Sequence, residues 1–528
     1  MKYVGLALIV MAVAAPLRVT ATPHVLVWAN ELDVTTLMPY EPGSTAKGIL
    51  DGLTQAYLMR DFDGTLEPEL AERVPSLANG GVSADGRTIR IRLRPSLRWS
   101  DGAALTSADV AYSIRTLTSE ARTVVAPDGF GTVSGVDTPD DRTVIVHARR
   151  FSRELVRSLF SSDSLPVLPV HVHLGRDLSP PSAEYLPVGA GPFRYETWHR
   201  GDRVTLVPNP YYQGRAPKLR RIVLRMLAST QASELALRTG EINFWPVAAN
   251  SSAAALASDP HVTAIVSPGV HPQFLMLNTA SEPLRDRSVR QALRAAVDRA
   301  AIVKKTYHAG AVVDDTPLAA NDPEYAAVVP ERFDPARAKR LLDAAGWLPG
   351  ADGVRVKGGR RLRLRIVGVA NVPAVAHIME AVRSNWRDVG VELETRIYAG
   401  SVLFDEDPQR GILSGRHFDV ALYSFQRASA GDLAVLFGCA PGALPTHNLS
   451  GLCDRGLDRL FREYDTAIDE NHARAVARAI QRRLIGLVPA IVLVKRNEYY
   501  LKRDSVTGFV LHPFSPVAGA ILEIDVAR

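Results

Sequence analysis

Cysteine is nearly absent from this chain of 528 residues: only Cys439 and Cys453 occur. That excludes a disulfide-stapled scaffold and a cysteine-rich metal fold, both of which need more. Long apolar runs are lacking as well. Beyond the N-terminus the nearest, Leu484 to Val494, is broken by Pro489. It reads as a helix end running into a buried strand, because a membrane span needs about 20 apolar residues. Charge of one sign is not concentrated anywhere. Lysine and arginine number 62 against 56 acids, and the +6 balance is dispersed, whereas a nucleic-acid binder gathers it in a patch. Internal repeats are missing, which excludes solenoids and propellers. With 46% hydrophobic and 22% charged residues, the composition is that of a globular protein of about three folding units.

The parts of a secreted hydrolase are missing too. Ser44-Thr45-Ala46-Lys47 has the Ser-x-x-Lys spacing of penicillin-binding enzymes, but neither Ser-Asp-Asn nor Lys-Thr-Gly accompanies it. His171 and His173 stand two apart, not at the i, i+4 spacing that puts two imidazoles on one helical face. Gly189-Ala190-Gly191 lacks the third glycine of a dinucleotide loop, and Pro192 disfavours the helix that would follow. No enzymatic activity and no cofactor are expected.

What is present begins at the N-terminus. Lys2, an uncharged run from Tyr3 to Leu17, and Val19-Thr20-Ala21 have the form of a secretory signal, residues 1–21, cleaved after Ala21. No cysteine follows for a lipid anchor, and loss of Lys2 and Arg18 lowers the net charge to +4. In an oxidising compartment Cys439 and Cys453 read as one disulfide. A zinc reading adds His447 but lacks a clear fourth ligand.

Local patterns indicate mixed α and β structure. Arg87 to Arg94 alternates apolar and basic residues as a half-buried strand. Thr106-Ser107-Ala108-Asp109 is a capping box that opens a helix through Val110, Ile114 and Leu117. Thr143 to His147 is a strand. Asp286 caps a helix with the stripe Val289, Leu293, Ala296 and Ala300, and Asp334-Pro335 opens another that Gly346 ends. Strand Leu362 to Val367, a helix at 374–389 and strand Val391 to Ile397 imply a parallel βαβ crossover. A helical pair at 455–467 and 472–485 precedes the strand Ala490 to Val494.

These motifs also resemble a known family. Ile91-Arg92-Leu93-Arg94-Pro95-Ser96-Leu97-Arg98-Trp99-Ser100-Asp101-Gly102 is followed in order by Gly189-Ala190-Gly191-Pro192-Phe193 and Asn209-Pro210-Tyr211-Tyr212. Leu277-Asn278-Thr279, Val289-Arg290-Gln291-Ala292-Leu293, Asp298-Arg299 and the Asp334 to Trp347 helix complete the series. It is similar to the family 5 extracellular solute-binding proteins, the oligopeptide-, dipeptide- and nickel-binding receptors of ABC importers, from about residue 25 to the C-terminus. The resemblance implies an α/β, two-lobe periplasmic-binding-protein fold of the large class, with the ligand cleft between the lobes. Residues 22–268 plus 489–528 would form lobe one, with an extra subdomain at about 64–187, and 269–488 would form lobe two. The extended segments Ala264 to Asn278 and Ala490 to Val494 could serve as hinge strands.

The resemblance further implies a monomeric periplasmic receptor that captures a peptide or peptide-like solute and delivers it to a membrane permease, with no nucleic-acid partner. Gly43, Ser44 and Thr45 match a loop that offers main-chain groups to an extended peptide. Tyr423, Phe425, Gln426 and Arg427 match the lobe-two cleft segment, while Trp245 and Trp28 could be cleft walls, although most tryptophans are core. Dipeptide receptors carry a cysteine pair like Cys439 and Cys453. This chain departs from peptide receptors at Ala428, where they present an Asp to the ligand's ammonium, and Arg427 adds a positive charge beside it. Asp432 would need a register shift to serve, and Asp33 or Glu41 could substitute. A ligand with a blocked or absent amine follows: a modified peptide, or an opine- or sugar-like solute. A metal-chelate receptor, a signalling receptor on the same scaffold and a secreted hydrolase are the alternatives.

Overall fold

In the computed structural model the described residues are 22–30, 34–41, 45–62, 65–119, 129–162, 164–175, 185–227, 229–248, 250–308, 310–320, 322–370, 372–405, 407–424, 430–439, 448–512 and 516–527. Among them an 11-stranded mixed sheet runs through the molecule. Its principal strands are Val25–Asn30 (β1), Phe193–His199 (β2), Arg203–Pro208 (β3), Arg221–Met226 (β4), Phe244–Ala248 (β5), Val262–Leu277 (β6), Arg363–Val369 (β7), Glu392–Tyr398 (β8), Val420–Ser424 (β9) and Ala490–Arg503 (β10). Their spatial order is β8-β7-β9-β6-β10-β5-β1-β4-β3-β2, and the short strand Ala311–Val312 pairs with β10.

Two strands belong to both ends of this sheet. β6 and β10 pair antiparallel from Val262 opposite Arg503 to Met276 opposite Ala490, with irregularities between Ser267 and His271 and between Gln273 and Phe274. β9 lies on β6 at one end, and β5 lies on β10 at the other. The buried cores divide accordingly. Leu275, Val289, Leu293, Ile366, Trp386 and Leu493 share one cluster, and Leu433, Phe461, Tyr464 and Ile480 another, on the β7–β9 side. Leu26, Trp28, Phe193, Leu224 and Phe244 fill the β1–β5 side. A further core surrounds Trp99, Ile89, Ile91 and Val146. It is built on the antiparallel sheet of Thr88–Arg92, Thr143–Ala148 and Val133–Asp140.

The capping box at Thr106 forms as the sequence indicates, with Thr106 accepting from Ala108 and Asp109 accepting from the Thr106 amide (2.8 Å). Asp334 caps the Pro335–Ala344 helix, and Gly346 takes φ +82°, a conformation glycine adopts without steric cost. The βαβ unit is present, with β7 and β8 parallel around the Pro373–Arg387 helix. Two expectations need correction. The helix capped by Asp286 ends at Ala295, and Asp298 caps a second one, Arg299–Thr306, on which Ala300 is exposed rather than part of the stripe. The strand beginning at Ala490 continues to Arg503, nine residues beyond the apolar run.

Candidate functional site

Strand directions locate a crevice. β5, β1 and β4 are mutually parallel, as are β9, β7 and β8. The first set ends where Ala248 faces Tyr499, and the second where Ser424 faces Gln273, itself opposite Val494. The carboxyl ends of six strands thus point at one another across the β6–β10 ribbon. Their separation along β10, from Val494 to Tyr499, is roughly 16 Å at about 3.3 Å per residue. In open α/β sheets ligands bind in the crevice outside the carboxyl ends of the strands. Here two such edges share it.

The intervening stretch of β10, Lys495-Arg496-Asn497-Glu498, is polar, and sequence reasoning missed it because it ended the strand at Val494. Lys495 is fully buried, 2.6 Å from Asp314, donates to the Leu318 carbonyl, and lies 4.8 Å from the Tyr325 ring centroid. Burial pushes the Lys495 ammonium below its ordinary pKa. Burial works against the Asp314 carboxylate as well, but Lys495 and the Thr316 and Tyr325 hydrogen bonds outweigh it and hold its pKa down. Burial and the neighbouring Asp314 push the Tyr325 phenol up to about 12. The Gly269 amide donates to Asn497 Oδ1 (3.0 Å), and His271 Nε2 meets Glu498 at 2.9 Å, with the Tyr500 hydroxyl on the other Glu498 oxygen. These bonds stitch the ribbon where its register shifts.

The helix Thr45–Thr54 turns its N-terminus toward the same crevice. Its last turn meets Gly189 and Gly191, just before β2 begins: a Cβ on Gly189 would lie 1.9 Å from the Thr54 carbonyl oxygen, and one on Gly191 2.5 Å from that of Leu53. The glycine pair is therefore a close backbone contact, and because β2 runs parallel to β1 the helix N-terminus faces the carboxyl-end side. Lys47 pairs with Asp51 at 2.5 Å, both buried, which gives the Ser-x-x-Lys lysine an i, i+4 structural partner. Burial, partly offset by Lys47, raises the Asp51 carboxyl to about 6.

Of the residues singled out from the sequence, Gly43 and Ser44 lie outside the described residues, as do Asp33 and the segment Phe425, Gln426, Arg427 and Ala428, and Thr45 is described only as the first helical residue. Tyr423 is half-buried next to the end of β9, its ring 6.2 Å from that of the half-exposed Phe404, and burial raises its phenol pKa. Asp432 is in the first turn of the Ala430–Phe437 helix that follows, and Glu41 is half-buried. Trp245 is 1% exposed and packs among Ala29, Leu237, Ile242 and Leu501, and Trp28 is equally buried in the neighbouring core. Both side chains are packed within buried cores. Cys439 and Cys453 form a disulfide, which ties the end of the Ala430–Phe437 helix to the start of the Arg455–Thr466 helix.

Comparison with known proteins agrees with this geometry. A family model described as bacterial extracellular solute-binding proteins, family 5, middle part, matches residues 65–436. Protein XP55 of Streptomyces lividans is 29% identical, over 91% of this chain and 84% of that protein. Among solved structures, the oligopeptide-binding protein AppA of Bacillus subtilis, in complex with a nonapeptide, superposes with a TM-score of 0.80 at 20% identity, covering 96% of this chain and 99% of its own. NikA of Brucella suis, in complex with Fe(III)-EDTA, gives 0.81 at 20% identity, covering 96% and 100%. At these identities the structural matches establish the two-lobe fold.

Proposed function

The chain belongs to the family 5 bacterial extracellular solute-binding proteins, and on that premise we propose that it captures a peptide or peptide-like solute between its lobes and delivers it to the membrane permease of an ABC importer. The observation that carries this reading is the convergence of two sets of parallel carboxyl ends on the β6–β10 ribbon. A receptor needs a shaped cleft with a few placed polar groups, and it needs no nucleophile. Among the described residues no helix is long and apolar enough to cross a membrane. The protein works as a periplasmic monomer after cleavage behind Ala21. Residues 22–268 and 489–528 form lobe one, with the subdomain at about 64–187, and 269–488 form lobe two. The division of the buried cores on either side of the ribbon supports a two-lobe split, with Ile491 and Leu493 of β10 packing on the lobe-two side.

Tyr423, Phe425, Gln426 and Arg427 contribute from lobe two, and Gly43, Ser44 and Thr45 from lobe one. Tyr423 next to the end of β9 and the direction of the Thr45–Thr54 helix support that assignment. With Ala428 in place of an acid and Arg427 beside it, the ligand has a blocked or absent amine and an anionic or carbonyl-rich group for Arg427. Calorimetry with matched free and N-acetylated peptides tests this. The acetylated forms bind at least as tightly as the free ones. Submicromolar binding of free peptides that is lost on acetylation overturns the ligand assignment and restores an ordinary peptide receptor.

A further inference from the structure

The two lobes meet a second time, away from the ribbon. The helix Arg153–Ser158 stands on the Trp99 core, and the helices Arg455–Thr466 and Glu470–Leu487 stand on the β7–β9 side. Asp465 gathers three donors from the first: Arg150 (2.6 Å), the Ser152 hydroxyl (2.7 Å) and the Glu154 amide (3.3 Å). Arg153 pairs with Glu470, and its guanidinium carbon lies 5.6 Å from the Tyr464 ring centroid. The Tyr464 hydroxyl donates to the buried Glu324 (2.7 Å), which pins the ring. Glu154 reaches past this contact to the Ala430–Phe437 helix. A Cβ on Gly431 would fall 2.3–2.4 Å from its carboxyl atoms, so any larger residue there would push the Glu154 side chain aside.

We infer that Arg150, Ser152 and Arg153, with Tyr464, Asp465 and Glu470, form a polar latch that holds the lobes closed without ligand. The inference rests on the two-lobe receptor reading and assigns a regulatory device to it. Its exposure to water makes it a latch rather than a permanent joint. Its ion pairs stay partly in water: Arg150 is 52% and Glu470 51% exposed, against 19% for Asp465 and 11% for Arg153. Half-exposed pairs of this kind shift an equilibrium by roughly two- to fivefold each, and salt screens them. A latch of that strength populates the closed form without trapping it. Because apparent affinity scales with the fraction of competent molecules, the same contacts set how tightly solute is retained.

Small-angle scattering of the ligand-stripped, full-length mature protein reads the latch directly, at about 0.01 M and 1 M salt, where the screening length falls from roughly 30 Å to 3 Å. The wild type is compact at low salt and expands at high salt. Asp465→Asn is expanded at both, and Glu470→Gln, which removes the Arg153 pair, is expanded at low salt. Equal radii of gyration for the wild type and both variants at low salt overturn the inference. Native mass spectrometry on the same samples before stripping separates the latch from the receptor reading. A solute carried by wild type with no difference in scattering leaves the receptor standing and removes the latch. A scattering difference with no solute carried at all supports the latch and counts against the receptor.

Discussion

The hinge and the latch are both made of polar side-chain pairs that join the two lobes, yet they differ in their exposure to water. At the hinge the side chains of Lys495 and Asp314 are 1% and 9% exposed, and those of His271 and Glu498 are 17% and 9%. At the latch each ion pair has one partner about half exposed. A buried charge that loses its partner costs several kcal/mol, while an exposed pair contributes about 1 kcal/mol or less. The hinge pairs are therefore held whether the lobes are open or shut, and the latch pairs can be exchanged for water. Burial, more than charge, separates the part that stays from the part that moves.

The largest expected effect tests the permanent side of that contrast. Lys495→Met strands Asp314 among Thr316 and Tyr325, and urea unfolding should show a loss of about 3–5 kcal/mol. A change below 1 kcal/mol would place the hinge pair in the same class as the latch. Next comes the base of the latch. Replacing Cys439 and Cys453 by Ala frees a loop of sequence separation 14 and should lower stability by about 3 kcal/mol. It should also loosen the Arg455–Thr466 helix that carries Asp465. Free-thiol titration of the unfolded, unreduced protein detects no thiol if the pair is closed in solution.

The buried Lys47–Asp51 pair of the Thr45–Thr54 helix calibrates the comparison. Asp51 has its carboxyl raised to about 6, against an ordinary value of 3.8. The folded form therefore binds a proton that the unfolded form releases, so stability falls as pH rises from about 4 to about 6 and is level on either side. At 1.36 kcal/mol per unit the drop is about 3 kcal/mol. Asp51→Asn should remove that slope from the pH profile of unfolding, and an unchanged slope would assign it to another group. The smallest effect is at the latch. Asp465→Asn should alter the unfolding free energy by no more than about 1 kcal/mol, even as it opens the lobes, and a loss of 3 kcal/mol would make the contact a structural joint.

Much of the scaffold was legible because its signals are local. The Thr106 box, the Asp334-Pro335 start and the alternation at Arg87 to Arg94 each declare an element within a dozen residues. The hinge strand was legible only to Val494, since polar residues on a strand buried by both lobes look like the start of a loop. Ala300 fitted the helical period, but the Asp298 cap interrupts it. The latch left no trace in the sequence. Arg150 and Asp465 are 315 residues apart, and nothing in either segment announces the other. The cleft segments are marked in the sequence only by the family resemblance, whereas strand direction, a property of the folded sheet, gives the crevice an independent physical basis.

The proposed cleft places the solute at the facing carboxyl ends of the strands. A photo-crosslinking benzoylphenylalanine placed at Ser424, the last residue of β9, and as a control at Val329, 89% exposed, tests it most directly. After irradiation of protein purified with its native solute, intact-mass measurement should show a covalent small-molecule adduct for the Ser424 variant and none for the Val329 variant. A retained solute that crosslinks at neither position, or equally at both, would place the binding site elsewhere.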